Sequence, residues 1–198
     1  MFSFLRLLIC AVIGFFAFSF IKPISPKGRR VKIIAYVVSV VLASVLISFI
    51  PIENNIHSFD SPEAAYMYLG NRGEVQLVVP GDQCDFIVVK EDSFTTVYDI
   101  IPKTEDGWKV PANFDTDLDS YKSGDKINIT VWYHKPTGER FISVEVNDSF
   151  GEVTVSDVYG SRFYSLKNGQ EFEYYAAIKD FDSQYVLTVD GTKYTFDK

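Results

Sequence analysis

Hydrophobic positions follow two different regimes along this chain. Up to residue 52 they are nearly continuous. Residues 2–21 (FSFLRLLICAVIGFFAFSFI) hold one charge, Arg6, and residues 33–52 (IIAYVVSVVLASVLISFIPI) hold none. About 20 apolar residues in a helix cover roughly 30 Å of hydrocarbon, so the pattern predicts two N-terminal transmembrane α-helices forming a hairpin. Cleavage of the first as a signal peptide is the alternative. It fits poorly, because the run ends in Phe20-Ile21-Lys22-Pro23 without a small-x-small site. Bulky Ile9 before Cys10 likewise argues against a lipoprotein cysteine. The connector, residues 22–32, holds five bases, two prolines and one glycine. A short loop so basic is expected in the cytoplasm. The expected location is the cell membrane, two-pass, with both termini extracytoplasmic and the lipid bilayer as a partner.

Residues 53–60 (ENNIHSFD) read as a polar linker. Asp60 or Ser61 as cap, Pro62 and Glu63 in the first turn and Gly70 as the stop predict a short helix over 61–69. Beyond Gly70 the period changes to two. Runs rich in Val, Ile, Tyr, Phe and Thr lie at 74–79, 84–90, 94–101 and 106–110. A second series lies at 126–133, 139–146, 151–156, 161–166, 171–178, 184–189 and 192–196. Turn residues separate these runs, and no connection is long enough for a crossover helix, so pairing should be antiparallel. The expected organisation is a helix and small antiparallel sheet over 61–111, an acidic linker at 112–125, and a β-sandwich subdomain over 126–198.

Two local features sharpen this. Asp190-Gly191 between two β runs is the signature of a type I′ hairpin. Closing the 126–133/139–146 hairpin over Lys135-Pro136-Thr137-Gly138 pairs residues whose numbers sum to 273 and sets Trp132 opposite Phe141. Asp182-Ser183-Gln184-Tyr185 resembles the tyrosine corner of immunoglobulin-type and fibronectin-type sandwiches. That resemblance implies an immunoglobulin-like arrangement and a Tyr185 hydroxyl bonded back to the preceding loop. It covers only this stretch, without a Cys…Trp…Cys core.

Charge divides the chain as hydropathy does. Residues 1–52 carry six bases and no acid, which leaves 13 bases and 26 acids beyond them, a net −13. Such an acidic region repels nucleic acid, whose binding needs clustered Lys and Arg. The partners expected instead are an envelope glycan or another membrane protein. Cys10 and Cys84 are the only cysteines, so no disulfide forms within residues 53–198. The layout resembles small membrane-anchored surface proteins of Gram-positive bacteria, with no family motif to carry residues over.

Candidate chemistry is thin. Cys84 in an apolar strand reads as a buried thiol. The alternative pairs it with His134 as a thiolate–imidazole dyad of an envelope hydrolase or transpeptidase. Sortases, the membrane-anchored example, place the histidine before the cysteine and carry a Thr-Leu-x-Thr-Cys motif that is missing here. A serine nucleophile is no better supported, since Tyr159-Gly160-Ser161-Arg162-Phe163 lacks the second glycine of G-x-S-x-G. His57 and His134 cannot build a zinc site alone. Asp115, Asp117 and Asp119 occupy positions 1, 3 and 5 of an EF-hand-like loop. Ser120 replaces the glycine at position 6 and Lys126 the glutamate at position 12, so a solvated linker is preferred over calcium. Trp132 and Phe141 are either an exposed ligand platform or, the preferred reading, a pair covered by a neighbouring sheet or helix. The function expected is a membrane-anchored extracytoplasmic binding, sensing or accessory module that needs no cofactor and catalyses nothing.

Overall fold

The computed structural model describes residues 2–20, 26–49, 51–92, 95–112, 114–124, 126–147, 151–168 and 171–196. Two helices come first, α1 (Phe2–Phe20) and α2 (Pro26–Phe49). They pack together around Cys10 and Ala43. The approach is close at Gly14, where a Cβ would stand 2.5 Å from Val40 Cγ2. Ser44 Oγ donates to Val40 O at 2.8 Å and reaches Cys10 Sγ at 3.3 Å. Val12, Phe15, Phe16, Val37, Val41 and Leu42 stay exposed on the two helices.

The expected pair of membrane spans does not survive. Among the described residues, no helix is long and apolar enough to cross a membrane. The backbone shows why the spans are shorter than the sequence suggests. Pro26 opens α2 rather than breaking it, since a first-turn residue needs no N–H. Lys27, Arg29, Arg30 and Lys32 therefore occupy the first two turns of a helix, not a loop. The charge-free segments are 14 residues in α1 (7–20) and 17 in α2 (33–49). At 1.5 Å per residue these measure roughly 21 and 26 Å, against roughly 30 Å of hydrocarbon. The two-pass location, with its cytoplasmic loop and extracytoplasmic termini, falls with the spans. Residues 21–25 and 50, within the expected hairpin, lie outside the described residues.

A short helix, α3 (Pro62–Tyr68), forms as expected, with Ser61 Oγ accepting the Ala64 N–H at 3.2 Å. Apart from a 3-10 turn at Ile52–Asn55, in place of the polar linker expected from residue 53, the rest is antiparallel β structure in three sheets. The first contains β1 (Glu74–Pro80), β2 (Cys84–Lys90), β3 (Thr96–Thr104) and β4 (Gly107–Trp108), in that order. A central sheet takes β5 (Thr116–Ser123), β6 (Ile127–His134) and β7 (Arg140–Val146). The third sheet begins with β8 (Val155–Asp157), after which β9 (Tyr164–Asn168) and β10 (Glu171–Ile178) return to the central one. Finally β11 (Val186–Val189) and β12 (Thr192–Thr195) join β8. The central order is β5-β6-β7-β10-β9 and the third is β12-β11-β8.

These elements stack in four layers. On the outer side of the first sheet, Ala65 and Tyr66 of α3 meet Ile87, Val89, Ile101 and Val110. Its inner side, with Val79, Cys84, Phe86, Val88 and Ile100, packs on Phe141 and Tyr175 of the central sheet. Strand β2 thus feeds two cores by alternation, which explains its unbroken buried run from Cys84 to Val89. The other face of the central sheet (Ile129, Val131, Ile142, Val144, Ala176) meets Tyr185, Leu187, Val189 and Phe196.

The local expectations fare unevenly. Strands β6 and β7 pair as 127 with 146 through 133 with 140, so Trp132 does face Phe141. The pair is covered by the first sheet: Phe141 is 1% exposed, with its ring 5.5 Å from Phe86, and half-buried Trp132 lies 5.7 Å from Tyr98. Asp190 (φ 50°) and Gly191 (φ 80°) form the type I′ turn. The acidic stretch read as a linker is instead β5, the edge of the central sheet. A register shift between Leu118 and Ser120 leaves Asp119 as the extra residue of a bulge. The immunoglobulin-like expectation is also corrected. Tyr185 is buried, but its hydroxyl faces the Asp157 carboxylate of β8 rather than the preceding loop. Three stacked sheets replace a two-sheet sandwich.

Candidate functional site

Three connections meet at one end of the stack: the β1–β2 turn, the β6–β7 hairpin turn and the β8–β9 loop. Together with the end of β10 they line a cleft of about 790 Å³. Its floor is organised by Glu139. One carboxylate oxygen, Oε1, accepts the Asp82 N–H at 2.6 Å and the Gln83 N–H at 2.9 Å. The other, Oε2, accepts the Cys84 N–H at 2.8 Å and the Cys84 thiol at 2.6 Å. Four donors converging on one carboxylate make a charge-assisted clasp between the first and central sheets. Gly81 permits the tight turn, since a Cβ there would lie 2.4 Å from Cys84 O.

Thr137 connects the two side chains considered as a dyad. Its Oγ1 is 2.8 Å from His134 Nδ1 and 3.6 Å from Cys84 Sγ, and it accepts the Glu139 N–H at 3.3 Å. Cys84 and His134 are therefore neighbours across one hydroxyl, both sealed from solvent at 0% and 1% exposure. Their protons are held the wrong way round for nucleophilic catalysis. Burial first, then the hydrogen bond to Glu139, pushes the Cys84 thiol up. Burial pulls His134 down, against the opposing charges of Asp115 and Glu139. A thiolate–imidazolium pair needs the reverse of both shifts.

Above this floor the cleft carries charge. Arg140 is engaged: Nε donates to Asp119 Oδ2 at 2.6 Å, Nη1 to Gly138 O at 3.2 Å, and the guanidinium lies 4.5 Å from the Tyr133 ring centre. Arg162 and Lys179 are exposed. Arg162 lies 4.9 Å over the Tyr164 ring, and neither cation has a carboxylate partner among the described residues. Asp82 is exposed at the cleft, and Tyr159 donates to both oxygens of Asp182 at 3.0 Å.

Ser161, the serine candidate, lines the cleft and gives its N–H to Asp157 Oδ1 at 2.8 Å, while the remaining sequence candidates lie elsewhere. Asp117 pairs with Lys135 at 2.8 Å and Asp119 with Arg140. At Asp115 it is the backbone that is bonded, to Ala112 and Lys135. The three acids do not converge, and among the described residues no cluster of three His, Cys, Asp or Glu could hold a metal. Trp132 and Phe141 belong to the core beneath the first sheet. His57 packs edge-on against Phe59 at 4.6 Å.

Sequence reasoning missed Glu139, Thr137, Arg162 and Lys179. The Gly81 and Gly138 turns were visible, but nothing local reveals that one turn's carboxylate receives the other's N–H groups. A buried polar group between the sheets was missed as well. Glu173 of β10 stands opposite Glu145 of β7, with the Tyr175 hydroxyl donating to its carboxylate. Burial and the charge of Glu173 raise Glu145, and the same causes push Tyr98 up to about 12.

No family model matches the chain, and neither curated proteins nor solved structures give a significant match. Functional inference therefore rests on the site itself.

Proposed function

We propose that the chain is a non-catalytic binding module whose ligand occupies the cleft above Glu139. The observation that carries this reading is the division of labour at the site. Of the two nucleophiles considered, Cys84 is sealed and donates its proton to Glu139, and the Ser161 hydroxyl meets neither histidine nor carboxylate among the described residues, while Arg162 and Lys179 face solvent without carboxylate partners among them. A catalytic centre would expose the nucleophile and set a base against it. Here the polar groups below the cleft hold two sheets together, and Asp82, Arg162 and Lys179 above stay exposed.

Alkylation tests this against a cysteine hydrolase or transpeptidase. The folded full chain is treated with iodoacetamide at about pH 7.5, and the modified peptide is located by mass spectrometry. Cys84 should label at least about 100-fold more slowly than in urea, because only a deprotonated, accessible thiol reacts. Rapid stoichiometric labelling of Cys84 in the folded chain would overturn the reading.

A further inference from the structure

Resting on that reading of the cleft, we propose that its ligand is an acidic saccharide, with the carboxylate held by Arg162 and Lys179 and hydroxyl groups accepted by Asp82. Charge makes the first argument. Beyond residue 52 the chain has a net charge of −13, yet this cleft gathers Arg140, Arg162 and Lys179. Two acids share it. Glu139 already receives three backbone N–H groups and a thiol, so its charge is compensated from below. Arg140 is likewise engaged, by Asp119 and the Gly138 carbonyl. What faces a ligand is a pair of exposed cations without carboxylate partners among the described residues, and one carboxylate, Asp82.

Geometry supplies the second argument. Resting over Tyr164 restrains the Arg162 guanidinium while leaving its planar fork of donors open, and that fork matches a carboxylate in bidentate fashion. Lys179 follows directly on β10, a rigid inner strand of the central sheet. The volume, about 790 Å³, falls within the range of small-molecule sites and far exceeds a lone inorganic anion. Tyr159, 39% exposed, adds an aromatic ring to the lining of the same cleft. A pyranose carrying hydroxyl groups and one carboxylate, with a face of C–H bonds to lay against an aromatic side chain, satisfies cations, acceptor and ring together.

Isothermal titration of the full chain in low salt tests this with three probes: glucuronate, glucose and inorganic phosphate. Glucuronate should bind, glucose should not, and phosphate should bind more weakly than glucuronate. Arg162→Gln and Lys179→Gln should each weaken glucuronate by about tenfold, as loss of a charge-assisted contact does. Both variants should melt as the wild type does, since both side chains are exposed. Lys193→Gln, on β12 and outside the cleft, controls for net charge and should leave binding unchanged. Glucose binding as well as glucuronate would overturn the acidic part of the proposal while sparing the binding reading. Phosphate matching glucuronate would overturn the saccharide part. No heat from any probe would overturn the inference whole, whereas fast Cys84 labelling would overturn the reading beneath it.

Discussion

Asp99 sits half-buried on β3, close enough to raise the Tyr66 phenol of α3 by its charge. Its Oδ1 accepts the Ile100 N–H at 2.8 Å, but burial outweighs that bond and pushes the carboxyl up to about 6. An unfolded aspartate titrates near about 4. The folded chain therefore holds this proton more tightly, and stability is lost as pH rises from about 4 through about 6. Asn keeps the acceptor and never charges. Asp99→Asn should raise the melting temperature at about pH 7.5, with the gain vanishing near about pH 4. An equal gain at both pH values, followed by thermal denaturation, would refute the burial of a charge at this position. Residues of this kind are not legible in sequence. Cys84 could be read as buried because its strand is apolar, whereas Asp99 in Tyr-Asp-Ile-Ile resembles any solvent-facing residue of an alternating strand.

Elements were easier to read than their contacts. The β6–β7 register followed from one turn and strict alternation, since a slip of a single residue would invert every side chain. The edge strand β5 was hidden by its own acids. Asp117 and Asp119 imitate a linker, yet charges along an exposed edge are how a sheet discourages further pairing. The clasp at Glu139 could not be foreseen, because it joins positions 55 to 57 residues apart. Its weight in holding the two sheets together is measurable. In Glu139→Gln an amide NH₂ replaces one oxygen and confronts N–H donors. The variant should lose about 2–4 kcal/mol in urea denaturation, the cost of several hydrogen bonds to a charged acceptor. Cys84 in the variant should also alkylate faster. Unchanged stability in Glu139→Gln would show that the clasp merely follows the packing of the two sheets.

At the scale of the molecule, the helices, the acidic β region and the cationic cleft are separate features. Composition separates the first two and averages away the third. The stack is closed by its last strands. Until β11 and β12 are in place, Ile129, Val131, Ile142 and Val144 have no cover from Leu187, Val189 and Phe196. A chain ending at residue 184 should accordingly bind hydrophobic dye and be digested rapidly by protease, while the chain through 196 resists. Equal resistance would mean the third sheet is an accessory to the core.

The same ordering has a consequence on the ribosome. Strand β8 is made between strands of the central sheet, but its partner β11 follows about thirty residues later, by which time β9 and β10 have already emerged. A nascent chain can finish the first sheet and its α3 cover early. The central sheet must then wait with one greasy face bare, and elongation at about 5–20 residues per second sets that wait at a few seconds. Over that interval the growing chain is open to chaperones, and the pace of translation across residues 158–196 becomes a determinant of yield.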